Sequence, residues 1–308
     1  MWVRVAYSPD SEFTFLSKEN TYLVVGGDSL VGGGLMRALE RRGLPALTTT
    51  RRPGQVTDQK ILLDFENPKT FSVPDSVDYA FVVAAATNYD RCEADPLAYT
   101  INVELIPRLV ETLLEQGVFV AFVSTNSVFG GEQPWPHEYA PHEPGIAYAK
   151  QKSQGEQHIR STAERLDATD RLAIVRLTKI LERSTSPIPS WIETWERGEV
   201  VHPFADLIFA PMSVHFVGEA LVSVGESRAA GHLHLSGSEN VDYVAFAKAI
   251  ADETGVDHAL IGRTTASDKG VHIAFKPTYS GLGMERTTAL TGLVPQPLMS
   301  AIRDIFSN

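Results

Sequence analysis

Tyr148 and Lys152 stand four residues apart in Gly145-Ile146-Ala147-Tyr148-Ala149-Lys150-Gln151-Lys152, and a Ser124-Thr125 step lies upstream. Side chains at i and i+4 share one face of a helix, so the ammonium of Lys152 can approach the Tyr148 ring. A nearby positive charge lowers a phenol pKa from its ordinary value of about 10. The chemistry this pair suggests is proton donation by Tyr148 to a carbonyl oxygen that is receiving a hydride. The spacing is weak evidence by itself. With nine lysines and nine tyrosines in the chain, roughly one such pair arises by chance in every four chains of this make-up. A surface helix with an exposed Tyr and a solvated Lys has the same pattern.

A hydride must come from a cofactor, and Val24-Val25-Gly26-Gly27-Asp28-Ser29-Leu30-Val31-Gly32-Gly33-Gly34 has the form of a place to hold one. It follows a strand and opens a helix. Glycine lets the backbone approach a pyrophosphate, and the helix N-terminus supplies amide donors. Gly26, Ser29 and Gly32 keep the spacing of a three-glycine turn with Ser in the middle. Ser is small, and its hydroxyl could itself meet a phosphate. A glycine-rich turn also serves plain helix–sheet packing. The second strand ends in Thr48-Thr49-Thr50-Arg51-Arg52-Pro53 without the acid that holds a ribose 2′-hydroxyl. Arg51 and Arg52 offer forked donors for a 2′-phosphate, which favours NADP(H) over NAD(H). Two solvated surface arginines would look the same.

The elements that must position these groups alternate. Strands are expected at 21–25, 46–50, 60–65, 77–85, 118–124 and 172–177, with helices at 30–42, 96–116 and 146–166. The run from Val77 to Ala85 is almost wholly apolar, as in a strand covered on both faces. This alternation implies an α/β, Rossmann-type, doubly wound parallel sheet. After Leu177 the pattern loosens, with helices near 187–198, 214–224, 241–254 and 297–306 and short strands near Val200-Val201 and His232–Leu235. The reading is an N-terminal extension over 1–20, a cofactor-binding domain over 21–177, and a smaller, interleaved substrate lobe over 178–308 with segments returning to the sheet.

Composition sets limits. The 308 residues are 43% hydrophobic and 21% charged, ordinary for a globular protein. A net charge of −11 argues against nucleic acid or an anionic membrane as partner. The single cysteine, Cys92, leaves no intrachain disulfide and suits a reducing cytosol. The first residues have no signal-peptide h-region, and no stretch approaches the ~20 apolar residues of a membrane span. The nine histidines contain no ligand set of recognised spacing, so no metal is expected. Trp191 and Trp195, at i and i+4, read as helix packing. The segment Pro134–Pro144 reads equally as a flap or a connector.

In order along the chain, these motifs resemble the extended short-chain dehydrogenases/reductases, most closely the dTDP-4-dehydrorhamnose reductase-like group. The likeness runs from about Tyr22 to the C-terminus. It includes the glycine turn, Asp64-Phe65, Ala84-Ala85-Ala86-Thr87-Asn88-Tyr89-Asp90-Arg91-Cys92-Glu93 (the family's loop near the nicotinamide), Asn102, Ser124-Thr125-Asn126-Ser127-Val128-Phe129-Gly130-Gly131, Tyr148 with Lys152, Gly155-Glu156, and Gly231–Gly237. The resemblance implies that Thr125 hydrogen-bonds the substrate carbonyl, Tyr148 is the acid, and Lys152 binds the nicotinamide ribose and tunes Tyr148. It places Gly26, Asp28, Ser29, Leu30, Val31, Gly32, Asp64, Phe65, Ala84, Ala85, Ala86 and Asn102 at the cofactor. Thr87, Asn88, Asn126, Ser127 and Lys179 fall beside the substrate. Three departures alter the sugar pocket but spare the Thr-Tyr-Lys set: Ser29 for glycine, Asn126-Ser127 for Asp-Tyr, and Lys179 for a substrate-contacting Trp. Lys179 could meet a substrate phosphate or carboxylate, or simply face solvent.

The function so implied is NADPH-dependent reduction of a nucleotide-activated keto sugar, of 4-keto-6-deoxy type or a related carbonyl compound, in the cytoplasm. A nucleotide sugar is the expected partner, and a homodimer is compatible with the sequence. Two other functions share these motifs. An epimerase or dehydratase would retain NAD through purification. A non-catalytic NADP-binding regulatory subunit would bring down a stoichiometric partner and reduce nothing.

Overall fold

The computed structural model describes residues 21–66 and 72–307; the extension expected over 1–20 lies outside them. Five-residue apolar and β-branched runs bounded by turns make β1 (Thr21–Val25) and β2 (Ala46–Thr50). α1 (Leu30–Arg41) lies between them, capped by Ser29. β3 (Lys60–Leu62) and β4 (Val77–Val82) follow. Both stop short of their expected ends, because Asp64-Phe65 and Val83–Ala85 turn out of the sheet to border a crevice. Next come α2 (Tyr89–Ala94) and α3 (Pro96–Tyr99), then a π-helical stretch (Thr100–Leu105) running into α4 (Ile106–Glu115). The helix expected over 96–116 is thus one path with a widened middle. Pro107 cannot donate to the preceding turn and its ring crowds it, and the wide turn lies just before it. β5 (Phe119–Thr125), α5 (Ala147–Arg165) and β6 (Leu172–Leu177) complete this half.

The second half contributes β7 (Lys179–Leu181), α6 (Ile188–Glu196), β8 (Ile208–Phe209), β9 (Pro211–Ser213), α7 (Val214–Glu226), β10 (Gly231–Leu235), β11 (Val241–Asp242), α8 (Tyr243–Thr254), α9 (Glu285–Thr291) and α10 (Leu298–Phe306). β10 joins the main sheet beside β6, giving the order β10-β6-β5-β4-β1-β2-β3 with every pairing parallel. β7 pairs with β9, and β8 with β11. The strand expected at Val200-Val201 is a single bridge from Val201 to Ile261.

The two-residue alternation of strands divides the sheet's side chains. Tyr22, Val24, Phe81 and Val175 point to the face covered by α1 and α7. Leu23, Val25, Val82 and Ile174 point to the face covered by α4 and α5. α1 and α7 cross closely, since a Cβ on Gly218 would lie 2.6 Å from the Gly34 carbonyl oxygen. A third core, around Trp191, Trp195 and Phe246, fills the second half, where the two tryptophans pack as their spacing predicts. The strand order reverses between β1 and β4. In such sheets the crevice beyond the strand ends at that point is where ligands bind.

Candidate functional site

The glycine turn sits at this reversal. Gly26 has φ +101°, and a Cβ there would lie 2.8 Å from the Ala84 nitrogen, so only glycine fits between β1 and the end of β4. The three threonines of β2 latch the turn. Thr48 Oγ1 donates to Val24 O, Thr49 Oγ1 accepts from Gly26 N, and Thr50 Oγ1 donates to Asp28. Asp28 is also paired with Lys60 at 2.7 Å, and the hydrogen bonds from Lys60 and Thr50 hold its carboxyl below the usual range. Ser29 Oγ accepts from Gly32 N and donates to Gly26 O. Its hydroxyl caps α1 rather than standing free for a phosphate. Gly32 is buried beneath the turn, where a Cβ would press on the Gly26 carbonyl.

Beyond the turn lies a cavity of about 360 Å³ bordered by Gly26, Ser29, Arg51, Arg52, Asp64-Phe65 and Ala84–Ala86. Arg51 and Arg52 form no ion pair among the described residues. A dinucleotide fits these features: a glycine no side chain could replace, the N-terminus of α1, an apolar shelf at Phe65 and two uncommitted guanidinium groups. Asn102 is 1% exposed and lies behind this surface. Its amide accepts from Ala86 N and donates to Ala86 O, so it shapes the loop rather than facing the crevice.

A second cleft of about 540 Å³ shares Val83, Ala85 and Thr87 with the first. Thr125, Tyr148 and Lys152 line it together, with Leu30 and Val31 at the start of α1. Thr125 ends β5, and its Oγ1 lies 3.0 Å from Ser127 Oγ. Tyr148 is half-buried in the first turn of α5, its ring 5.5 Å from that of Tyr89. Burial pushes the phenol above its usual range, and a hydrogen bond with the Thr125 side chain pulls the other way.

Lys152 corrects the expectation that its ammonium acidifies Tyr148. It does lie one turn along α5, but its Nζ turns down to the sheet. There it donates to Val123 O at 2.8 Å and sits 3.9 Å from the centre of the Phe122 ring. It is not among the groups that shift the phenol. Burial, only partly offset by Glu156, pushes Lys152 itself down to about 7.

Behind the cleft, Glu156 accepts from Ser124 Oγ and from the guanidinium of Arg176, both members of the ion pair being 2% exposed. Three histidines surround the same guanidinium: His142 and His232 at 3.0 Å, His234 at 3.2 Å. Arg176 also donates to Glu138 O. The 134–144 segment is therefore bolted to this hub and borders no part of the cleft. The cleft's outer wall is instead Ile273, Phe275, Lys276, Pro277 and Ser280, a stretch without regular structure whose irregular spacing offered no signal. Tyr89, in the loop that the resemblance places near the nicotinamide, also lines the cleft, as do Phe209 and Tyr243, which the sequence did not single out.

Of the substrate candidates, Thr87, Asn126 and Lys179 border the cleft. Asn126 Nδ2 is tied to Ser280. Asn88 instead caps α2 through Arg91 N. Ser127 is 1% exposed, behind Thr125. Among the described residues, no helix is long and apolar enough to cross a membrane.

Comparison with known proteins agrees with this geometry. Residues 20–308 match the family model described as the RmlD substrate binding domain. Among curated proteins, the spore coat polysaccharide biosynthesis protein SpsK of Bacillus subtilis (strain 168) is 27% identical over 288 residues, covering 92% of this chain and 95% of that protein. The dTDP-4-dehydrorhamnose reductase of Aggregatibacter actinomycetemcomitans is 24% identical over 260 residues, covering 79% and 86%. Among solved structures, the dTDP-4-dehydrorhamnose reductase of Bacillus anthracis str. Ames in complex with NADP superposes with a TM-score of 0.75 at 18% identity, covering 94% of this chain and 98% of that one. The chain belongs to the RmlD substrate-binding domain family, in the dTDP-4-dehydrorhamnose reductase-like group of the extended short-chain dehydrogenases/reductases, a family of NAD(P)-dependent oxidoreductases.

Proposed function

We propose that the protein is an NADPH-dependent reductase of a nucleotide-activated keto sugar or a related carbonyl compound. One observation carries the reading: Thr125, Tyr148 and Lys152 share a cleft that continues, through Val83, Ala85 and Thr87, into the crevice at the glycine turn. The activities named for the curated relatives, a polysaccharide biosynthesis protein and a dTDP-4-dehydrorhamnose reductase, support it.

The N-terminus of α1 and the turn at Gly26 would hold the pyrophosphate, Arg51 and Arg52 the 2′-phosphate, and Lys152 the nicotinamide ribose. When bound, the cofactor supplies a hydride. The side chains supply the rest. Thr125 Oγ1 orients the substrate carbonyl oxygen. Tyr148 gives that oxygen its phenolic proton as the carbon becomes tetrahedral, so a ketone leaves as a secondary alcohol. The phenol, with an ordinary value of about 10 raised further by burial, is protonated at neutral pH, as a donor must be. Proton transfer of this kind contributes about 10²–10⁴-fold, with positioning supplying much of the remainder.

The test is Tyr148→Phe. NADPH affinity, measured by calorimetry, is expected to remain within about threefold, while turnover of nucleotide-linked keto sugars falls by at least ~10²-fold. Near-normal turnover in that variant removes the assignment.

A further inference from the structure

The cleft beside Tyr148 has a charge opposite to that of the molecule. The chain carries a net −11, yet the cleft is lined by three lysines, Lys152, Lys179 and Lys276, and by no Asp or Glu among the described residues. Two of the three are committed. Lys152 donates to Val123 O under the Phe122 ring, and Lys276 is paired with Asp206 at 2.7 Å. Lys179 has no ion-pair or hydrogen-bond partner among the described residues.

Its position follows from the register. Leu177 lies opposite Thr125 across the β5–β6 pairing, and Lys179 is two residues further, roughly 7 Å along an extended chain. A lysine side chain spans that distance. Lys179 and Thr125, the group that takes the carbonyl oxygen, thus line the same cleft from neighbouring chain segments. The side chain is accessible, but it stands between cleft walls that include Leu177, Ile180 and Phe209. Burial lowers its affinity for a proton, with no acid to compensate. Its ammonium is left open to an anion entering the cleft.

We propose that the substrate bears an oxyanion, a carboxylate on the sugar ring next to the reduced carbonyl, and that Lys179 is the residue that selects it. The inference rests on the nucleotide-sugar reading above and refines it: a charged carboxyl stands where a 4-keto-6-deoxy sugar has an uncharged methyl. The diphosphate of the nucleotide is the other source of the same chemistry. It leaves a 4-keto sugar from C1, across the ring from the carbonyl, whereas Lys179 comes off the strand end next to Thr125.

The test uses four probes on the full chain with saturating NADP⁺: UDP-glucuronate against UDP-glucose, and dTDP-glucuronate against dTDP-glucose. Each pair differs only at C6, a carboxylate against a hydroxymethyl group. Calorimetry is expected to show one glucuronate binding at least tenfold tighter than its matched glucose. Lys179→Met should erase that preference while leaving the glucose affinity within about threefold, and Lys179→Arg should keep it. Equal binding within both pairs, no binding of any probe, or retention of the preference in Lys179→Met overturns the proposal. Loss of both members of a pair in Lys179→Met assigns Lys179 to the diphosphate and overturns it too. The readout is affinity, so a chain that selects glucuronate but shows undiminished turnover after Tyr148→Phe would remove the reductase mechanism and keep this selectivity.

Discussion

Tyr148 and Lys152 are on one helical face, but their electrostatics are not those of a pair. Tyr148 is dominated by burial, with Tyr89 and Cys92 acting in the same direction and Thr125 weakly against it. Lys152 is dominated by burial and Glu156, and gives one of its three donors to a strand carbonyl. A buried lysine held at about 7, against an ordinary 10.4, has a consequence for stability. Between those two values the unfolded chain binds the extra proton, so stability rises with pH. Below about 7 both states are protonated and the full cost of burying the charge is present. Lys152→Met is therefore expected to melt above wild type at pH 6, with the gap narrowing toward pH 9, while abolishing turnover. Scanning calorimetry of both proteins at constant ionic strength checks it. A gap that widens with pH would show that Lys152 is not buried as a disfavoured cation.

At the scale of elements, β2 does more than fill the sheet. Its three threonine hydroxyls fasten the glycine turn, and its end delivers Arg51 and Arg52 to the crevice. Three acids line the same crevice, Asp28, Asp64 and Glu66. Asp28 is paired with Lys60 and Arg91 with Asp95, so Arg51 and Arg52 are the cations there without an ion pair among the described residues, available for a 2′-phosphate. A charge-assisted hydrogen bond is worth about 1.5–3 kcal/mol. The double variant Arg51→Ala/Arg52→Ala should thus weaken NADPH binding by roughly tenfold or more and leave NADH within about threefold. Fluorescence titration with both nucleotides measures it, and parallel losses would mean that the arginines do not read the phosphate.

The whole molecule is tied together by Arg176. Through one guanidinium, α5 (Glu156), the 134–144 segment (Glu138, His142) and β10 (His232, His234) meet behind the cleft. Glu138 continues the tie to Thr287 in α9. Burial and the adjacent Arg176 push His232 down to about 4 and His234 to about 3. Burial also lowers His142. As pH falls below about 6.5 the unfolded chain takes up protons that these rings refuse, so stability drops by up to about 1.4 kcal/mol per pH unit for each histidine. Urea unfolding should show a decline that begins near pH 6.5 and continues toward pH 4. A flat profile down to pH 4.5 would mean that the rings are not held neutral against Arg176.

The parallel order of the first half was legible because buried strands and helices impose different apolar periods, and because glycine marks the one turn where a Cβ would strike Ala84. Residue types and order singled out Thr125, Tyr148 and Lys152 as the candidates. Their convergence on one cleft was decided by the β5–α5 packing, which no local spacing encodes. The same holds for Asn102, in the π-helical stretch, and Ser127, just after β5, which both face inward. The outer wall at 273–280 and the Arg176 hub were not legible either. They join segments distant in the chain, and a residue's neighbours in space leave no periodic trace in its neighbours along the sequence. Residue types determined which chemistry was available here; close packing determined which side chains meet, which way Lys152 turns and where its charge is felt.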